Sequence, residues 1–422
     1  MPDDYSTPAT YIAALKAANP RSTITSETAE RALEGINASA IDIATVIDEI
    51  NTGDYVERLL ESVSERLPDN VRKLIESGMI AVGEIALPNF DARVVPVGAG
   101  HAILINRGTH QFVYRIARIL ATRFVPDDRD EPVAPLEDTA RIMAEAFAWY
   151  LNTGQAFGPQ YPITLEQLQL ANLITLEAMK FILCHEIAHA VTDREAPPEY
   201  RTEVDASPHL DEHGADVFGA MWALGLASGE APQDAWNMAV RYAGIEFMLQ
   251  VWAVFEQLGY EFSDTHPPAT DRLEVIRLFI ADKCYEPTWD ALTSISQGTA
   301  QLFAKITELL NDPEKLQDII AAEVPHLLAE LDALLDRCAT FPVPNYCTFY
   351  SEAGRIFDRG YPDQLMAHIA EIAAEFISGN KDEPWSMERA RRLQRFKLLI
   401  GYLEHLNEPA RAHFQAALGL RR

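Results

Sequence analysis

The stretch FILCHEIAHAV, residues 181–191, places two histidines and a glutamate inside an otherwise apolar run. The apolar residues suit a buried helix, but a buried polar group is unfavourable unless it has a partner. In a helix, His185 and His189 are four residues apart and therefore lie on one face, one turn from each other. Glu186 projects in a different direction, roughly 100 degrees around the helix from His185. The stretch therefore predicts a core helix whose polar edge meets a partner for both imidazoles.

A metal ion is the partner that this spacing favours. Two histidines at i and i+4 can bind one zinc ion, and the adjacent glutamate is then placed to take a proton from a bound water. The pentapeptide HEIAH is not decisive alone, because the chain contains 11 histidines and a helix can carry two of them by chance. A catalytic zinc site also needs a third protein ligand and an open position for water.

The segment DEHGAD, residues 211–216, offers that third ligand. Glu212 and Asp216 are one helical turn apart, so Glu212 can complete a set of two histidines and one glutamate. Asp216 can accept a hydrogen bond from the non-ligating nitrogen of a zinc histidine and so fix the ring. An amphipathic helix also carries acidic residues on its solvent face, and other ligands remain possible: Glu203, Asp205, His209 and His213.

The pattern of apolar residues predicts an α+β fold that is mainly helical. Three short segments rich in β-branched residues, MIAVGEIAL, ARVVPVG and HAILINRG, predict a small antiparallel sheet between residues 79 and 108. Thr164 and Gln167 form a capping box for a long helix that ends near Thr192. Two further helices are predicted at about 210–227 and 232–258. We expect an N-terminal helical segment over 1–77, a central domain over 78–283 and an all-helical accessory domain over 284–422.

Composition restricts the class of protein. The formal net charge is -28, which argues against a nucleic-acid partner. The N-terminus lacks the pattern of a signal peptide, and charged residues interrupt the apolar window 168–191, so we expect no membrane span. The four cysteines are far apart in the sequence, which fits reduced thiols in a cytoplasmic protein: Cys184, Cys284, Cys338 and Cys347.

The segment DTHPPATDR, residues 264–272, completes an ordered set of motifs. HEIAH, Glu212 with Asp216, and Thr265-His266-Pro267 with Arg272 resemble, in order and spacing, the gluzincin metallopeptidases. Within that family they are most similar to relatives of the prenyl-protein endopeptidases and heat-shock membrane proteases, including the small soluble minigluzincins. The segment GAGHAILINRG, residues 98–108, looks like the strand that precedes the first zinc helix of that family. The resemblance covers roughly residues 79–280, and this chain lacks the membrane spans of the integral-membrane members.

This resemblance implies a zincin-like core with one Zn²⁺ ion held by His185, His189 and Glu212. Glu186 would be the general base, and His266 would stabilise the oxyanion of the tetrahedral intermediate. Asp216 and Arg272 would organise the site. His-Pro-Pro can also be a simple turn before a helix, and Arg272 can be an ordinary surface residue. The strand around His101, Ile103 and Ile105 would present an edge to which an extended substrate could pair.

The sequence therefore predicts a soluble, cytoplasmic zinc endopeptidase that acts on a protein or peptide. A narrower version is a regulated protease in a bacterial stress or defence pathway, with a regulatory partner that binds the C-terminal helical domain. One alternative is a non-catalytic scaffold stabilised by zinc, although the intact Glu186 argues against it. Another alternative is a metal-dependent hydrolase of a non-peptide substrate, since HExxH with ExxxD points to peptide bonds mostly through the family.

Overall fold

The computed structural model describes residues 6–20, 54–125, 133–153, 156, 163–192, 208–227, 235–258, 266–283, 286–312, 328–329, 331–339, 349, 368–369, 371–372 and 387–402. Contacts divide the chain into two compact units, one formed by residues 1–146 and 159–312 and the other by residues 147–158 and 313–422. Part of the predicted N-terminal helical segment, residues 21–53, lies outside the described residues. So do residues 193–207, Thr265, Cys284 and Cys347. The predicted division at residues 77 and 283 stays a prediction.

Helices α1 (Pro8–Ala18), α2 (Tyr55–Val63) and α3 (Asp69–Glu76) precede the sheet. Asp54 begins α2 because its Oδ1 accepts hydrogen bonds from the free amides of Val56, at 2.9 Å, and Glu57, at 3.2 Å. The same carboxylate pairs with Lys16 of α1 at 2.5 Å. This contact links the first two helices.

The sheet contains strands β1 (Ile80–Ile85), β2 (Ala92–Val97) and β3 (Gly100–Asn106), in the order β1-β3-β2. β2 and β3 form an antiparallel hairpin through Gly98, whose φ of 60° suits a tight turn. β1 pairs with β3 in parallel. The α+β fold class is confirmed, but the sheet is mixed and not purely antiparallel. Residues 86–91 pass the end of β3, so β2 lies on the side of β3 opposite to β1.

The central position of β3 contradicts one prediction. His101, Ile103 and Ile105 pair with β1 on one side and with β2 on the other, and their exposed fractions are 7%, 0% and 1%. A strand whose backbone is paired on both sides has no free row of amides and carbonyls. The prediction that this strand is an edge for substrate is therefore wrong.

The long helix α6 (Leu165–Thr192) lies at the centre of the first unit and packs against α2 and the other helices that flank it. It begins with the predicted capping box, in which Thr164 N donates to Gln167 Oε1 at 3.0 Å and Gln167 N donates to Thr164 Oγ1 at 3.2 Å. Its other neighbours are α4 (Arg107–Phe124), α7 (Pro208–Leu224) and α8 (Ala235–Gln257). The apolar residues of the HEIAH stretch are almost fully buried, which confirms a core helix.

Further described helices are α5 (Leu136–Thr153), α9 (Ala269–Lys283) and α10 (Glu286–Leu310). Glu246 of α8 is fully buried and holds α9 and α10 through Arg277 and Ser296. A buried carboxylate with such partners is stable, whereas an unpaired one is not. Among the described helices, α8 is long and apolar enough to cross a membrane, but 78% of its most apolar window is buried in the protein. That burial is typical of a core helix.

The second unit contains α11 (Met387–Tyr402). Arg395 and Arg391 of this helix pair with Asp332 and Asp336 of the segment 331–339. The described parts of this unit are helical, as the apolar periodicity predicts.

Candidate active site

Helices α6 and α7 bring His185, His189 and Glu212 together. The two imidazole Nε2 atoms are 3.0 Å apart, Glu212 Oε1 lies 3.3 Å from His189 Nε2, and Glu212 Oε2 lies 3.6 Å from His185 Nε2. His185 and Glu212 are buried, and 24% of the His189 side chain is exposed. In the described part of the chain, these residues form the group of ligand atoms close enough to hold a metal ion.

These distances fit a tetrahedral metal centre. Ligand atoms about 2.1 Å from a zinc ion at tetrahedral angles are separated from one another by roughly 3.4 Å. Glu212 Oε2 is also buried without a hydrogen-bond partner among the described residues. Arg272 Nη2 lies 3.8 Å from it, too far for a hydrogen bond, so this oxygen can still accept a bond from a metal ion. The three residues are therefore able to bind a metal ion. His213, an alternative ligand, lies outside the group, and Glu203, Asp205 and the side chain of His209 lie outside the described residues.

A close approach of two helices makes this geometry possible. Glu212, Asp216 and Gly219 lie on the face of α7 that is directed at α6. A Cβ atom on Gly219 would lie 3.0 Å from both Cα and N of His185, so the absence of a side chain lets the helices meet at this histidine. Gly219 is one of the site residues that the metal-ligand pattern in the sequence does not identify.

Asp216 contacts the ring of His185 on the side opposite to His189 and Glu212. Its Oδ1 lies 3.1 Å from Nδ1 of His185, which leaves Nε2 directed at Glu212 and His189. Asp216 is fully buried and accepts two hydrogen bonds from Arg272, from Nε to Oδ2 at 2.8 Å and from Nη2 to Oδ1 at 2.7 Å. The structure thus places Arg272 in the site and not on the surface.

His266 lies at the opening of the site. Its Nε2 is 3.3 Å from Glu212 Oε1, and 30% of its side chain is exposed. His266 is not one of the three grouped ligand atoms, so it is close to the possible metal position without completing the group. A donor in this position can contact a substrate that enters from solvent.

Glu186 is a buried carboxylate on the same helix as the two histidines, with an exposed fraction of 8%. Burial raises its pKa to about 7, and the negative charges of Glu212 and Asp91 act in the same direction. Asp91 precedes the edge strand β2 and is held by Thr109, which donates to its carbonyl oxygen at 2.8 Å. A carboxyl group with a pKa near neutrality can exchange protons with a reacting water or amine.

The ionisation of His185 and Glu212 suits a cation, whereas that of His189 opposes it. Burial and the positive charge of His189 lower the pKa of His185 to about 4, so its imidazole is neutral at neutral pH. Burial alone would raise the pKa of Glu212, but His189, His185 and Arg272 together lower it to about 2. The pKa of His189 is raised because its contact with Glu212 outweighs the effect of burial. A metal ion would displace the proton that His189 shares with Glu212.

Comparison with known proteins adds one finding. The family described as Peptidase U49 matches residues 141–289, a segment that contains HEIAH, Glu212 with Asp216, and His266 with Arg272. This part of the chain is similar to a peptidase. The match covers less than half of the 422 residues and does not test the specific resemblance to gluzincins. No curated protein and no solved structure matches the chain.

Proposed function

We propose that this peptidase-like chain is a zinc-dependent endopeptidase of the gluzincin type. The observation that carries the proposal is the set of distances among His185 Nε2, His189 Nε2 and Glu212, which fits one tetrahedral ion. Two imidazoles and one carboxylate are a donor set that zinc prefers in hydrolases. The match to Peptidase U49 supports peptide bonds over other substrates of a metal-dependent hydrolase.

When bound by His185, His189 and Glu212, zinc would act as a Lewis acid and lower the pKa of a water molecule. The protein residues carry the remaining steps. Glu186 accepts the proton of the attacking water and then donates it to the amine that leaves when the peptide bond breaks. Its raised pKa suits both directions of transfer.

His266 and the pair of Asp216 with Arg272 have different tasks. His266 donates a hydrogen bond to the oxyanion that forms on the attacked carbonyl, a role that its exposure at the site entrance allows. Asp216 keeps Nε2 of His185 directed into the site, and Arg272 keeps Asp216 ionised and in place. These roles are the ones that the family resemblance implies.

The narrower prediction, a regulated cytoplasmic protease in a bacterial stress or defence pathway, is part of the same proposal and rests on the sequence. Regulation would require a partner that acts on the accessory helices. The test of regulation is to measure the cleavage rate of the purified protein first alone and then with each candidate partner.

A single substitution tests the proposed chemistry. In Glu186→Gln the general base is lost while the three grouped ligands remain. Bound zinc and the rate of cleavage of an unstructured protein such as reduced casein should be measured for wild type and E186Q. The matched control is E166Q, because Glu166 lies exposed in the first turn of the same helix.

We expect all three proteins to bind one zinc ion. Wild type and E166Q should cleave at the same rate, and E186Q should lose at least about a hundredfold in rate, as expected for a general base. Binding of zinc without cleavage by any of them would favour a zinc-stabilised scaffold. Cleavage of equal rate by E186Q would exclude Glu186 as the base and contradict the proposal.

A further inference from the structure

Two side chains of α8 contact the beginning of α9, and neither belongs to a motif of the site. Trp252 and Glu256 are four residues apart and so lie on one face of α8. Both touch the segment of chain that carries His266 and Arg272.

Trp252 covers the guanidinium group of Arg272. The Arg272 Cζ atom lies 4.5 Å from the centroid of the indole ring, and the same ring lies 6.1 Å from the ring of His185. Arg272 is almost fully buried, so the attraction between its charge and the aromatic face is little weakened by water. The indole therefore restricts Arg272 to the plane in which it donates to both oxygens of Asp216.

Glu256 holds the first turn of α9. Its carboxylate accepts a hydrogen bond from the amide of Ala269, with Oε2 at 2.9 Å and Oε1 at 3.1 Å. The first amides of a helix have no partner within the helix, and a negative charge is favourable at this end. Pro267 and Pro268 have no N–H group, so the amide of Ala269 is the first backbone donor after His266. Among backbone amides after His266, that of Ala269 is the nearest in sequence that can donate a hydrogen bond. By accepting this bond, Glu256 restrains the chain beside His266.

We propose that Trp252 and Glu256 are positioning residues of the candidate active site, Trp252 for Arg272 and Glu256 for His266. The inference rests on the proposed function, since it concerns the same reaction. Trp252 acts on His185 through Arg272 and Asp216, whereas Glu256 sets where α9 begins and hence where the imidazole of His266 stands. Neither residue touches the substrate in this account.

The experiment compares W252M and E256A with the conservative variants W252F and E256Q. The W252M variant keeps a large apolar side chain without an aromatic face, and the E256Q variant keeps an oxygen that can accept from Ala269. The matched controls are W236L, since Trp236 is 69% exposed on the same helix, and E274A, since Glu274 is exposed on α9. Values of kcat and KM are measured at saturating zinc, and the zinc Kd by competition with a chelating dye, at a temperature where circular dichroism shows each variant folded.

We expect kcat to fall about tenfold in W252M and in E256A while KM stays within about twofold, because the substrate contacts are unchanged. W252F and E256Q should recover kcat to within about threefold of wild type. W252M should also raise the zinc Kd about tenfold, as changes behind a metal ligand do. Both controls should match wild type. W252L and E256V carry the same expectations if the first variants do not fold.

The proposal is overturned for either residue if its folded variant keeps the kcat of wild type, or if KM alone rises, which would place the side chain against substrate. Failure of the conservative variant to restore kcat also overturns it. If the wild type cleaves nothing, the proposed function fails separately. The zinc Kd of W252M against that of W236L then still decides the role of Trp252.

Discussion

At the scale of single residues, the contact between Asp216 and Arg272 supports the site on the Nδ1 side of His185. Both side chains are almost completely buried and their two hydrogen bonds are parallel. Burial alone would raise the pKa of Asp216, but Arg272 and His185 hold it well below its usual range. A buried charge that loses its partner is strongly destabilising, so each of the two residues depends on the other.

Asp216→Ala should therefore have two measurable effects. The zinc Kd should rise about ten- to a hundredfold because His185 loses the group that orients its ring. The free energy of unfolding of the metal-free protein should fall by about 3–5 kcal/mol because Arg272 stays buried without its partner. Calorimetry and urea unfolding measure these quantities. The double variant D216A/R272M should recover much of the stability but not the zinc affinity, and equal stability of D216A and wild type would contradict the assignment.

His110 of α4 gives a prediction about pH. Its ring stacks on Tyr55 with centroids 4.0 Å apart, and burial lowers its pKa from 6.5 to about 4. Between pH 6.5 and 4 the unfolded chain binds a proton at this residue that the folded protein does not bind. His110 therefore does not change the free energy of unfolding above pH 6.5. As the pH falls from 6.5 toward 4, its titration lowers the free energy of unfolding progressively.

His110→Phe keeps an aromatic ring beside Tyr55 and cannot titrate. The melting temperatures of wild type and H110F should be compared at pH 7 and pH 5. The decrease on acidification should be smaller in H110F, because only wild type loses the contribution of this histidine. Equal decreases in the two proteins would show that His110 titrates normally in the folded state.

At the scale of elements, two glycines let α7 and α8 approach α6 at points about two helical turns apart. A Cβ atom on Gly219 would meet the backbone of His185 at 3.0 Å, and one on Gly244 would meet the backbone nitrogen of Ala178 at 2.6 Å. Backbone atoms cannot move aside as a flexible side chain can. The position of Glu212 relative to the histidines therefore depends on Gly219, which lies about two helical turns further along α7.

Gly219→Ala and Gly244→Ala should both destabilise the protein, by about 1–3 kcal/mol, because they overpack a helix contact. G219A should in addition raise the zinc Kd, since α7 moves away from His185, whereas G244A should change the zinc Kd less. The control is G214A on α7, where an added methyl group meets nothing within 4 Å. G214A should stabilise the helix by up to about 1 kcal/mol. Unfolding curves and zinc titrations of the three variants test this, and identical behaviour of G219A and G214A would contradict it.

Several elements could be predicted from the sequence because their signals are local. The capping box of Thr164 and Gln167, the end of α6 at Thr192 and the three strand segments depend on neighbouring residues. The pairing order of the strands could not be predicted, because it depends on the path of residues 86–91 across the sheet. Because of that path, β3 is the central strand and not the expected edge strand.

At the scale of the whole molecule, the candidate site combines residues from four helices that are distant in the sequence. His185 and His189 lie on α6, Glu212 and Asp216 on α7, Trp252 on α8, and Arg272 on α9. The grouping of His185, His189 and Glu212 could be predicted because histidine and carboxylate spacing reflects the requirements of a metal. Trp252 and Glu256 could not be predicted, since a tryptophan and a glutamate on an apolar helix carry no comparable pattern.

The net charge of -28 is also a property of the whole molecule. A strongly acidic protein attracts basic targets more readily than acidic ones, and such charge repels nucleic acid. The expected location in the cytoplasm and the expected regulatory partner remain predictions from the sequence. The peptidase chemistry can be tested without knowing either.

A zinc titration of the metal-free protein, with cleavage of an unstructured protein as the readout, tests the proposed metal centre directly. We expect no cleavage after chelation, an increase in rate that is linear with added zinc, and a plateau at one equivalent. Glu212→Gln should require much more zinc to reach activity, because the third ligand loses its charge. Cleavage that persists in the chelated protein, or that is unchanged in E212Q, would contradict a metal centre formed by His185, His189 and Glu212.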